Sequence, residues 1–326
     1  MTGTHPLSIP AVRIPCETAG PRGSIRLVTI DAHVHLYDSS AIGYGVFAHR
    51  DPTFEALLGD YSALPRSYSV ADYRLATAGR KIDGIVWHEF ISDDPEAEIR
   101  WAQDLADTSD LPMALVGLAD FADPLVEARL ELLEALPNVT AVRQHLGWDP
   151  VDPVRRMTSR PDHMTDPVWD AGLARLGRTD LRCALEVFAP QLAELTAVVR
   201  RHPDIGFTIA VLGWPTALDP DSRSRWRADM AALARCGNTV LSISAVECIF
   251  GPAWDEDTAV DWITEAVGLF GTDRSMFGSH LPIDGLSYGF HRLYQAYDRV
   301  LAGCSPSERD AAYHGTAQRW YRMPVC

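Results

Sequence analysis

No stretch of the 326-residue sequence approaches the roughly 18 consecutive apolar residues of a membrane-spanning helix. The opening MTGTHPLSIPAVRIPCETAG lacks the continuous apolar centre of a secretory signal. Positive charge is scarce too. Lys and Arg number 29 against 44 Asp and Glu, a formal net charge of −15 with a pI near 5.1. Nucleic acid is therefore excluded as a partner, because neutralising phosphates needs clustered cations. Cys16, Cys183, Cys236, Cys248, Cys304 and Cys326 are far apart and form no C-x-x-C pair. That removes a zinc ribbon and a disulfide framework and leaves buried thiols as the expectation. There is no internal repeat and no low-complexity tract. A cytoplasmic protein without a membrane partner is expected.

What is present is ample apolar material, 47% of residues, enough for a large core. Residues 1–24, rich in Pro, Gly and Thr, read as an N-terminal arm or as disorder. Beyond them eight strand-like runs recur: RLVTIDAHVH, GIVWHEF, MALVGLAD, VTAVRQHL, RCALEVF, GFTIAVLG, TVLSISAVE and SMFGSHLP. Helical periodicity separates most of them. Asp123 is placed to cap a helix with Pro124 in its first turn and Leu125, Arg129 and Leu132 along its repeat. Leu192, Leu195 and Val199 form another stripe, as do Val260, Ile263, Val267 and Phe270. Ser305-Pro306-Ser307-Glu308 reads as a capping box. Near-continuous apolar strands alternating with amphipathic helices predict a parallel sheet covered by helices. Eight such units predict a single-domain α/β protein, a (β/α)8 TIM barrel over residues 25–326. The segment at about 37–83 is too long for a plain connection and is expected over the active-site mouth.

The stretch TIDAHVHLYD carries His33 and His35 one residue apart, so on a strand both face the same way and Val34 faces the other. That is half of a metal site. His280, in FGSHLP, falls at the C-terminal end of the last strand, where barrel side chains reach the active site. Imidazole suits it to general-base work near neutral pH. His88 and Glu89 alternate along GIVWHEF, so only one is expected to point inward, and His88 is preferred. Glu186 is either an acid/base or a partner for Arg143, and His145 stands beside it in the same region. Trp148, Trp214 and Tyr288 are candidates for an aromatic wall, and Asp284 for capping a loop.

The HxH pair, AVRQHLGWDP, HPDIGFTIAVLGWP, GNTVLSIS and FGTDRSMFGSHLPID occur in an order that resembles the amidohydrolase superfamily. Within it the likeness is to the branch related to sugar lactonases and 2-pyrone-4,6-dicarboxylate lactonase, and it runs from about residue 27 to the closing HGTAQRWYRM. The departures are specific. Val211 stands where a sixth-strand His is usual, and His280 where the branch carries Asp or sometimes Asn. No Lys or second His occupies the bridging positions, so a binuclear metal site is not encoded. The resemblance implies a metal-independent hydrolase of a lactone, ester or related cyclic acyl compound. His33 and His35, with His88 as a further candidate, would polarise the carbonyl, His280 would be the general base, and Arg143 would bind a substrate carboxylate or carbonyl. An ion pair of Arg143 with Glu186 or Asp31 is the structural alternative. No cofactor is expected; the alternative is one zinc or other divalent ion on His33, His35 and His280. Two rival functions stay open, a metal-dependent decarboxylase or other carbon–carbon lyase and a non-catalytic small-molecule-binding barrel. The expected partner is a small-molecule substrate, with its negative charge and the chain's self-association left open.

Overall fold

The computed structural model describes residues 28–323, so the expected arm at 1–24 lies outside the described residues. Eight parallel strands form one sheet: β1 (Val28–Val34), β2 (Lys81–His88), β3 (Met113–Leu118), β4 (Val139–His145), β5 (Arg182–Glu186), β6 (Phe207–Ile209), β7 (Thr239–Ile243) and β8 (Ser275–Phe277). They are hydrogen-bonded in chain order from β1 to β8. The seam between β8 and β1 closes through the backbone just past the last strand. His280 N–H donates to the His33 carbonyl at 2.7 Å and His35 N–H to the Leu281 carbonyl at 2.8 Å. The fold is the (β/α)8 barrel expected.

The interior is filled by small and branched residues such as Ala32, Val86, Val116 and Ala141, and the C-terminal Ala317, Tyr321 and Met323 plug its lower end. A packed interior leaves the upper rim as the place for chemistry. Outside, Leu192, Leu195 and Val199 are buried as expected, and so are Ile263, Val267 and Phe270. Ser305 and Glu308 form the reciprocal capping box. One helix differs from expectation. It spans Val126–Glu134, because Asp123 instead accepts the Leu125 N–H at 2.8 Å and holds a turn. Its core stripe is Val126, Leu130 and Leu133, while Leu125 is 71% exposed.

Two strands are shorter than their apolar runs. After β6 the chain turns at Val211, Leu212 and Trp214, all at positive φ. After β7, Ala245 at φ 54° leads into a short helix, Val246–Phe250. Both turns aim side chains over the rim. The 37–83 segment carries an antiparallel pair, Tyr37–Asp38 with Ser67–Tyr68, and the helices Gly45–Ala48, Pro52–Leu58 and Val70–Ala76. Asp51 caps the second of these by accepting the Phe54 N–H at 2.8 Å, with Pro52 in the first turn. Tyr37 stacks on Phe90 at 4.3 Å and fastens the segment to the end of β2. Among the described residues no helix is long and apolar enough to cross a membrane.

Candidate active site

At the C-terminal rim a cavity has His33, His35 and His280 at one polar wall, Arg143, His145 and Glu186 at another, and Phe54, Leu57, Leu58 and Trp214 among its apolar lining. The 37–83 segment contributes Phe54, Leu57 and Leu58 to that lining.

The imidazole wall is fixed by hydrogen bonds that dictate tautomers. His35 Nδ1 lies 3.0 Å from the His88 carbonyl oxygen, which only accepts, so Nδ1 carries the proton and Nε2 the lone pair. That lone pair meets His33 Nε2 at 3.2 Å, which places the proton of a neutral His33 on Nε2. His33 Nδ1 then accepts from the Ser244 hydroxyl at 2.7 Å. Burial, reinforced by the neighbouring imidazoles and Arg143, holds His33 and His35 well below the usual imidazole range, so both are neutral. His280 Nδ1 stands 2.5 Å from Glu247 Oε1, and Nδ1–H donates to that carboxylate. Beneath this wall Asp31 ties the seam, accepting Ser279 N–H at 2.7 Å and the Tyr73 hydroxyl at 3.0 Å. Burial pushes Asp31 up to about 6 despite those bonds. Gly278 is needed here, since a Cβ would come within 2.6 Å of the His33 backbone nitrogen.

The second wall is a closed ring of charge. Arg143 donates through Nε to Glu89 Oε1 at 2.6 Å, through Nη1 to Glu186 Oε1 at 2.7 Å and through Nη2 to the Glu89 carbonyl at 2.6 Å. His145 completes it, with Nδ1 2.8 Å from Glu186 Oε2 and Nε2 2.9 Å from Glu89 Oε1. His145 is raised to about 9, burial being outweighed by Glu186 and Glu89, so it is an imidazolium at neutral pH. Against burial, Arg143 and His145 hold both carboxyls far below their ordinary range. Two cations face two carboxylates, and the ring is formally neutral.

The profile of a family described as Amidohydrolase matches residues 30–323. The chain belongs to the amidohydrolase family. An uncharacterized protein of Sinorhizobium fredii is 27% identical over 299 residues, 91% of this chain and 99% of that protein. An L-fucono-1,5-lactonase of Burkholderia multivorans is 27% identical over 179 residues, 49% of this chain and 57% of its own. Among solved structures, an amidohydrolase of Burkholderia multivorans with HEPES bound has a TM-score of 0.75 at 23% identity, covering 91% of this chain and 100% of that one. A crystal form with zinc bound gives 0.73 at 22%, with the same coverage. A manganese-bound dihydroxybenzoic acid decarboxylase of Polaromonas has a TM-score of 0.56 at 11% identity, over 90% of this chain and 97% of its own. At these identities the solved structures carry the fold alone.

Several sequence expectations for this amidohydrolase are corrected by its geometry. His88 and Glu89 both turn toward the barrel axis, because β2 ends at His88 and strict alternation ends with it. His88 nevertheless does not line the cavity; its ring stacks behind His33 at 4.0 Å and its Nε2 points to the Ala32 carbonyl at 3.3 Å. Arg143 does line the cavity, but as the centre of ion pairs with Glu89 and Glu186, and Asp31 is not its partner. Trp214 faces the cavity, whereas Trp148 lies under Arg156, 4.3 Å from its guanidinium, and Tyr288 packs on Trp254 and Arg292. The Asp284 carboxyl caps nothing; it is buried with neither oxygen bonded, and burial beside Glu247 raises it to about 9. Glu247 and Ser244 were missed by sequence reasoning. The one signal was a glutamate inside the apolar run SISAVECIF.

The donor set fits one divalent ion. A nitrogen of each of His33, His35 and His280 lies within 4.8 Å of the others, and each ring is anchored through its other nitrogen. The Ser244 hydroxyl both donates and accepts. His33 can therefore move its proton to Nδ1 and turn the Nε2 lone pair inward without changing charge. Val211, also in the lining, supplies no ligand.

Proposed function

We propose that this amidohydrolase hydrolyses a lactone or related cyclic ester, with His280 as general base and no required metal. The observation that supports the reading best is the His280–Glu247 pair, at 2.5 Å, set at a polar wall of an otherwise largely apolar cavity. With Nδ1–H held by Glu247, His280 presents the Nε2 lone pair to a water. As water oxygen bonds to the acyl carbon, Nε2 takes its proton and Glu247 offsets the imidazolium charge. Of the five N–H groups of a guanidinium, three on Arg143 are engaged by Glu89 and Glu186. The others are free to donate to the carbonyl oxygen as negative charge develops there. Collapse breaks the acyl–oxygen bond, and the imidazolium returns the proton to the leaving alkoxide, giving a ring-opened hydroxy acid.

A second reading is favoured by the 4.8 Å convergence of the three imidazoles and by the zinc in the Burkholderia neighbour. In it His33, His35 and His280 would hold a divalent ion, which would supply Lewis-acid polarisation and an acidified water. The decisive experiment is turnover of a panel of sugar and aromatic lactones in 18O-labelled water, by metal-quantified and chelator-treated protein. Label in the product carboxylate with undiminished activity after chelation supports the first reading. Activity that is lost and restored by zinc selects the second. Carbon dioxide release without label would make the protein a lyase, and binding without turnover a non-catalytic barrel.

A further inference from the structure

The cavity does not end at its apolar lining. Phe54, Leu57, Ile91, His145 and Met157 line both it and an adjoining vestibule, whose outer rim adds Asp51 and Arg156. The charges along this path are unequal in what they can offer a ligand. Inside, Arg143 and His145 are neutralised by Glu89 and Glu186. A carboxylate placed there would face two carboxylates already in possession of both cations. At the rim, Asp51 is occupied in capping its helix. The nearby Asp149 accepts the N–H groups of Val151 and Asp152.

Arg156 is different. Its Nε donates to the Asp149 carbonyl at 3.1 Å and one Nη to the Pro150 carbonyl at 3.5 Å. Among the described residues no carboxylate forms a direct ion pair with it; the nearest acid named here, Asp149, is held below the ordinary carboxylate range by backbone N–H bonds, with Arg155 and Arg156 adding to that effect from nearby. Trp148 holds the guanidinium plane from beneath at 4.3 Å. A half-buried guanidinium held on an indole face, at the rim of a vestibule lined mainly by apolar side chains, has the geometry of a reader of planar anions.

We propose that Arg156 determines substrate specificity, so that the site takes an acyl compound with an uncharged reacting ring and a carboxylate-bearing arm that reaches the vestibule. This rests on the hydrolase reading for the word substrate, but the recognition itself is a matter of binding. The neutral ring sits against His33, His35 and Arg143, and the carboxylate accepts a forked pair of N–H bonds from Arg156.

The test uses an inert matched pair, 3-phenylpropanoate and 3-phenylpropanamide, whose dissociation constants are measured by calorimetry on the parent, Arg156→Ala, Arg156→Gln and Glu186→Gln. The parent should bind the carboxylate at least tenfold more tightly than the amide. Both Arg156 variants should lose that preference while binding the amide as before, and Glu186→Gln should keep it. A parent without preference overturns the proposal. So does a preference that survives in both Arg156 variants, or one that moves only with Glu186. Failure of lactone turnover in labelled water is a separate result: it removes the hydrolase reading, whereas a preference lost with Arg156 still establishes the anion subsite.

Discussion

On the seam between β8 and β1 the polar wall is made of imidazoles, and burial keeps His33 and His35 neutral. Across the cavity, on β2, β4 and β5, the wall is made of full charges that cancel in pairs among Glu89, Arg143, His145 and Glu186. The first wall presents lone pairs and a single mobile proton, which is what proton transfer needs. The second has its carboxylates bridged and three of the five Arg143 N–H groups engaged, which makes it a rigid support with only two Arg143 donors left over. Equal burial thus hides opposite functions: a polar residue at a barrel rim is reactive only where its neighbours leave it an unused lone pair or proton.

The comparison breaks most visibly at His280. Replacing it by Asn should cut turnover by roughly 10² to 10⁴ and leave the thermal midpoint within a few degrees of the parent, while Asp should restore part of the rate. Parental turnover in His280→Asn would remove the imidazole wall from the chemistry.

The charged wall should respond in stability first. Glu186→Gln leaves Arg143 and His145 sharing one carboxylate, and breaking a buried pair on one side costs about 3–5 kcal/mol. Urea unfolding measures this, and a loss below about 1 kcal/mol would mean that the ring does not hold the wall together.

The smallest effect is a pH window that sharpens the contrast. His145 is raised in the folded chain from 6.5 to about 9, so its protonated form is favoured by folding. Its contribution is complete below pH 6.5 and is lost as pH rises through about 9. The urea midpoint of the parent should fall across that interval, and His145→Asn should be flatter there. His33 and His35, held neutral, add no matching slope above pH 7. An unchanged slope in the Asn variant would contradict the ring's charge assignment.

Most of the barrel was legible because each strand is a short apolar run followed by helical periodicity, and apolar pattern is what burial requires. His33, His35, His280, Arg143 and Glu186 were legible because polar residues at strand ends of a parallel barrel have few other reasons to be there. Glu89 was misjudged because period-two alternation holds only while the strand lasts, and β2 stops one residue earlier. Glu247 was invisible because SISAVE reads as strand, whereas the left-handed turn at Ala245 converts its end into a helix that swings the carboxylate onto His280. Arg143 was recognised as a mouth residue and Glu186 was named as one alternative partner, but its pairing with Glu89 depends on where separate strands end. No local pattern carries that information.

His280 sits at φ 59°, and that angle favours a short set of side chains at this corner. Outside glycine, the side chains that enter the left-handed region with least resistance are Asn, Asp and His. The resemblance places Asp at this position, sometimes Asn, and this chain places His. All three come from that short set. Glutamate, cysteine or serine could each serve as a base or nucleophile, yet any of them would first meet roughly 1–2 kcal/mol of backbone strain. The choice of side chain at this corner is thus filtered by conformation as well as by chemistry, and imidazole is the member of the short set that this chain uses.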